Sequence, residues 1–228
     1  MAQDFPSSVK RLFLVVTEPL AVFRIVADRP LFMRPALVLC ALNIFMALIL
    51  LPKIRAATIW MIENNTLKIP PGELGKIKEF IPVTVPLAAL FGAVLFPVVV
   101  WLMVSLLLRL YGSLRKTVIP FETVLTIAVY GYVPILLGNV VSTGIALSSS
   151  VENFHRVTVT LAMFFPYPKT LLYAFLARCS VFTLWSLALW SVGGAVALKT
   201  RPIYVGIYLF ALWFLYSLLS ALALLNKP

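Results

Sequence analysis

Acidic side chains are scarce in this chain, with 8 Asp and Glu against 19 Lys and Arg among 228 residues. That shortage leaves no paired membrane carboxylates for proton relay or acid–base chemistry. Histidine occurs once, at His155, and cysteine twice, at Cys40 and Cys179. No CxxC or CxxH spacing exists, so neither a metal site nor a disulfide between the two thiols is expected. A nucleophile elbow and a glycine-rich phosphate loop are also missing. The residues therefore predict a protein without catalytic machinery, metal or cofactor.

Charge as a whole is thin. Charged residues make up 12% of the chain and hydrophobic ones 62%, with a mean hydropathy of +1.02. A soluble domain has roughly 25% charged residues and 45–50% apolar ones. The chain thus reads as an integral membrane protein. Its net charge of +11 would suggest nucleic acid in a soluble protein. Here the bases flank apolar segments, where they anchor helix ends and meet anionic lipid head groups, so lipids rather than nucleic acid are the expected partners.

Five apolar stretches approach the length of about 20 residues that crosses hydrocarbon: about Leu31–Leu51, Thr84–Leu108, Pro120–Leu147, Cys179–Leu198 and Ile203–Leu225. The fourth helix is expected to start near Lys169. The predicted fold is an all-α bundle of five spans, residues 31–228, preceded by amphipathic N-terminal helices within residues 1–30. Ser7 and Ser8 cap the first of these, and Glu18-Pro19 opens the second, which carries Leu20, Phe23 and Ala27 on one side. The pair either lies in the membrane interface as an elbow or packs on the bundle. The first apolar run has Arg34 and Pro35 at its head and no small-residue cleavage pattern, so it reads as an uncleaved span. The polar Lys53–Pro82 loop is expected to hold short helices at Ala56–Ile62 and Glu73–Phe80 around Pro70-Pro71-Gly72. Val157–Phe165 is too short to span and is expected to be interfacial or re-entrant. The tight loops around Arg115 and Arg201 carry only bases, which favours a cytoplasmic N-terminus and an outside C-terminus.

Tyr130, Gly131, Tyr132 and Pro134 fall together inside the third span. Pro134 removes a helix bond and Gly131 allows a close helix neighbour. The run is either a kink beside a lipid-head or small-ligand cleft, or a packing kink whose hydroxyls bond the freed carbonyls. Asn43 and Asn139 are mid-span amides suited to interhelical hydrogen bonds. Arg178 is placed a third of the way along the fourth helix, either snorkelling or meeting an anionic lipid or Asn139. With Trp185, the candidate ligand or lipid set is Tyr130, Gly131, Tyr132, Pro134, Asn139, Arg178 and Trp185. Glu122, in the first turn of the third span, is a candidate ion-pair partner for Arg109 or Arg115.

Three stretches resemble the Yip (Ypt/Rab-interacting protein) domain family, in particular its short bacterial members. Glu18 to Pro30 is similar to their P-x-x-x-F-R-x-I-x-x-x-P entry. Phe121 to Leu137 is similar to the third span, with Tyr130-Gly131-Tyr132 and Pro134 in its Y-G-Y core. Phe182-Thr183-Leu184-Trp185 through Gly193 is similar to the F-x-x-W-x-x-x-L-x-x-x-G of the fourth. The acidic D-L-Y-G-P-type motif of eukaryotic members has no counterpart, so Rab binding does not carry over. The resemblance implies a five-span bundle in the bacterial cytoplasmic membrane, with self-association and a role in membrane organisation or traffic.

Two functions remain open: a membrane-organising scaffold working through lipid contacts and self-association, and a lipid or small-solute transporter. A transporter should have a polar cleft between the second, third and fourth spans. A scaffold should have that region tightly packed.

Overall fold

The Ser7 side chain accepts the backbone N–H of Lys10 at 3.3 Å and opens α1, Ser8–Thr17. Pro19 then sits in the first turn of α2, Pro19–Asp28. The computed structural model describes residues 7–64, 74–154, 157–165 and 170–225. Among these, seven further α-helices follow: α3 Met33–Glu63, α4 Leu74–Leu114, α5 Phe121–Gly131, α6 Val133–Ser148, α7 Leu171–Leu176, α8 Val181–Ala197 and α9 Pro202–Leu225. A 3-10 turn spans Leu161–Phe164, and no strand occurs among the described residues.

Among the described residues four helical stretches are long and apolar enough to cross a membrane: Met33–Glu63, Lys78–Leu114, Phe121–Ser148 and Pro202–Ala223. The apolar α8 is shorter, at 17 residues, the low end of what a span needs. Large apolar side chains face outward, Phe91 being 70% exposed and Leu106 64%, whereas Ser105, Thr126, Ser186 and Ser217 are fully buried. Hydrocarbon as solvent explains that inversion: greasy faces carry no penalty outside, and small hydroxyl residues let helices approach inside.

The first two spans run longer than the sequence suggests. Pro52 does not end α3, and Pro82, Pro86 and Pro97 all lie within α4. A proline removes one helix bond, while unwinding beside hydrocarbon would orphan several backbone groups. The 31 residues of α3 cover roughly 46 Å and the 41 of α4 roughly 61 Å. Ala56–Ile62 and the described part of Glu73–Phe80 are therefore continuations of these two helices rather than separate interfacial pieces. They form an antiparallel stalk tied by Lys78 Nζ to Glu63 Oε1 at 2.9 Å. Arg55 Nη2 also donates to the Pro82 carbonyl at 3.0 Å, and this is the carbonyl that Pro86, lacking an N–H, leaves without its helical donor. The Pro70-Pro71-Gly72 turn lies outside the described residues.

The fourth predicted helix is not continuous. Its expected start at Lys169 lies outside the described residues, and α7 ends at Leu176, four residues before α8 begins after Ser180. Arg178 occupies the turn between them. The segment 157–165 is irregular apart from its 3-10 turn, and Leu161 N–H bonds the Cys179 carbonyl at 2.9 Å.

Both N-terminal helices pack on the bundle. Leu12 and Val15 of α1 and Val22, Phe23 and Val26 of α2 are buried in the main core, while Leu20 is exposed at 45%. The buried stripe of α2 is thus centred one residue away from the face read in the sequence. The helix α2 lies against α5 and α8, so the three stretches that carry the family resemblance meet. A Cβ added at Gly193 of α8 would fall 2.6 Å from Ile127 Cγ2 and 3.0 Å from the Phe23 ring.

Candidate functional site

The third span breaks at Tyr132. Its N–H turns to the Val129 carbonyl at 3.2 Å, an i to i−3 bond, and helical pairing resumes with Leu136 N–H on the Tyr132 carbonyl at 3.1 Å. Pro134 supplies no N–H at all. The Ala128 carbonyl, which a regular helix would pair with Tyr132, instead accepts the Trp190 indole N–H at 3.0 Å, in a buried contact. The Ala128 carbonyl is therefore satisfied by the neighbouring helix.

Gly131 makes room for that indole. A Cβ there would overlap Trp190 Cδ1 and Nε1. One helical stretch further, a Cβ on Gly138 would lie 2.8 Å from Phe182 Cδ2. The pairs Ile127–Gly193, Gly131–Trp190 and Gly138–Phe182 run in opposite chain directions, so α8 lies antiparallel along α5 and α6 with aromatic rings seated over glycines. This seam is tight. Tyr130 and Tyr132 are fully buried, and Trp101 of α4 meets Tyr132 edge-on at 5.8 Å between centroids and 86° between planes. Trp101, Tyr132 and Trp190 thus pack around the third span in the region where the transport alternative would need a polar cleft.

The polar groups of the same span lie toward α3. Asn139 Nδ2 donates to Asn43 Oδ1 at 3.1 Å, and Asn43 Nδ2 donates to the Leu39 carbonyl at 2.8 Å. These amides form the expected interhelical bond, between α3 and α6. The Tyr132 hydroxyl interacts with Asn139 but has no partner of full hydrogen-bond geometry. Beside the amides a cavity of about 400 Å³ opens between α3, α4 and α6.

The structure does not gather all the candidate residues. Tyr130, Gly131, Tyr132 and Pro134 form the break, and Asn139 stands on the cavity wall. Trp185 is half-buried against the core without a hydrogen bond among the described residues. Arg178 is half-buried at the far end of α8, in the turn preceding it, with no ion pair or side-chain hydrogen bond among the described residues. Glu122, Arg109 and Arg115 are all exposed, and Glu122 pairs with neither arginine; Lys78–Glu63 is the salt bridge found among the described residues. At a solvated end an exposed pair gains little over hydration, so nothing holds these side chains together. No group of three or more His, Cys, Asp or Glu able to hold a metal is found among the described residues, and His155 lies outside them. Sequence reasoning missed Trp190 and Phe182 as the partners of Gly131 and Gly138. Their spacing, eight residues on α8 against seven on the third span, was the available signal.

Long apolar helices with buried hydroxyls, sealed by glycine–aromatic contacts, define a polytopic α-helical membrane protein. The chain matches the Yip1 domain over residues 13–224 and belongs to that family. No curated protein and no solved structure matches it.

Proposed function

We infer that this Yip1-family protein is a non-enzymatic organiser of its membrane, acting through lipid contacts and self-association. The observation that carries this reading is the seam between the third span and α8. Its glycine–aromatic seating and its captured Ala128 carbonyl favour a fixed body over one that rocks open around a substrate. The outer faces of α3, α4 and α9 offer broad apolar surface for lipid or for a second copy. Exposed Arg24 and Lys199, which border one cavity with Asp28 at one end of the bundle, suit anionic head groups.

In this reading α8 is the fourth of five crossings. Its antiparallel run beside α5 and α6 supports that role, and its 17 residues cover roughly 26 Å, within a few ångströms of the hydrocarbon thickness. Five crossings put the termini on opposite faces, with the N-terminus cytoplasmic and α1–α2 at the interface of a bacterial inner membrane.

The decisive measurement is energy transfer between donor- and acceptor-labelled copies reconstituted in liposomes at low protein-to-lipid ratio. Transfer that persists on dilution with lipid is expected. A monomer that moves fluorescent lipid or solute across the bilayer would overturn the organiser reading in favour of transport.

A further inference from the structure

The cavity between α3, α4 and α6 has two unlike walls. One presents Asn43, Asn139, Ser142 and Thr143, all uncharged; the other presents Ala89 and Ala93 of α4. Its volume of about 400 Å³ lies within the roughly 300–1,000 Å³ typical of small-molecule sites. Asn43 comes ten residues after Met33, about 15 Å along α3 and so near mid-membrane depth.

The polar wall has unused hydrogen-bonding capacity. Several helix hydroxyls in the bundle bond back one turn, Ser105 to the Trp101 carbonyl at 2.6 Å, Thr126 to Glu122 at 2.7 Å and Ser191 to Leu187 at 2.6 Å, whereas the buried Ser186 and Ser217 do not. Ser142 and Thr143 make no such bond, nor any other side-chain hydrogen bond among the described residues, although Thr143 is only 9% exposed. On the α4 side, Pro97 has no N–H to offer the Ala93 carbonyl. Three polar groups around one cavity are thus left without their ordinary helical partners. At membrane depth such groups need a ligand or water.

The chemistry of the lining restricts the occupant. Among the described residues no charged side chain borders the cavity, and the nearby Lys53 is committed to the Leu147 and Ser149 carbonyls at the end of α6. A phosphate here would lose its hydration without gaining a counter-charge from any described residue. We propose that the cleft binds an uncharged acylglycerol. Its ester and hydroxyl oxygens meet Ser142, Thr143 and Asn139, and an acyl chain lies along Ala89 and Ala93. This site is distinct from the sealed α8 seam and does not depend on the organiser reading.

The test uses the full chain in phosphatidylcholine nanodiscs with photoactivatable diacylglycerol, and separately with a phosphatidylglycerol probe bearing the same acyl chain. Diacylglycerol should label α4 and α6 around the cavity at least about fivefold more than phosphatidylglycerol does. Ala89→Leu with Ala93→Leu fills the apolar wall and should abolish that labelling. Ser142→Ala with Thr143→Val should lower it about fivefold while leaving labelling of the outer faces unchanged. Equal labelling by the two probes overturns the proposal, as does diacylglycerol labelling that survives the leucine pair. If the hydroxyl pair fails to fold, the leucine pair, which leaves the polar wall intact, decides.

Discussion

At the scale of single residues, Gly131 and Trp190 act as one unit. The indole needs the space that glycine leaves, and the Ala128 carbonyl needs the indole N–H. Gly131→Ala forces the ring outward and should destabilise the bundle by about 1–3 kcal/mol, the usual cost of overpacking. Trp190→Phe keeps the ring but orphans the carbonyl, for about 1–3 kcal/mol. Thermal unfolding in detergent measures both. The double variant should cost less than the sum, because a displaced ring has already lost its bond. By contrast, Asn139→Leu removes an interhelical amide bond in a span, where such bonds are worth about 0.6 kcal/mol, so its melting shift should be small.

At the scale of elements, two helix ends close without glycine. Thr117 N–H reaches the Gly112 carbonyl at 2.8 Å after α4, and Thr200 N–H reaches Ala195 at 3.0 Å after α8. The residues between, Lys116 at φ 55° and Lys199 at φ 51°, take the left-handed conformation that glycine normally fills. A side chain there costs about 1–2 kcal/mol, while a cation at a helix C-terminus returns part of it. Lys199→Gly should therefore raise stability by about 0.5–1 kcal/mol, read as a higher melting temperature. A fall on that substitution would mean that lysine's charge outweighs the backbone strain. Proline explains the elements that sequence placed too short: Pro52 and Pro82 signal breaks in water, but beside hydrocarbon the helix continues through them.

At the scale of the whole molecule, α1 and α2 belong to the core as much as any span does. Phe23, Val22 and Val26 are at most 2% exposed, and Phe23 closes the contact between Ile127 and Gly193. Deleting residues 1–29 should leave an aggregated or degraded protein, visible as loss of the monodisperse peak in size-exclusion chromatography. An intact peak would show that the bundle stands without them. Phe23→Ala should reproduce much of the defect, since a truncated core phenylalanine costs about 3–5 kcal/mol.

Composition and hydropathy alone determined that this is a helical membrane protein, because a backbone in hydrocarbon has few ways to satisfy its own hydrogen bonds. The sequence also marked the Tyr-Gly-Tyr-x-Pro run as a local break and the two asparagines as a helix–helix bond, since proline and mid-span amides act over one turn. Which helix fills the break, which side of the third span holds the cavity, and where Arg178 falls were decided only in three dimensions. Those depend on rotation about each helix axis, and apolar spans carry little periodicity to fix it when both their lipid and protein faces are greasy.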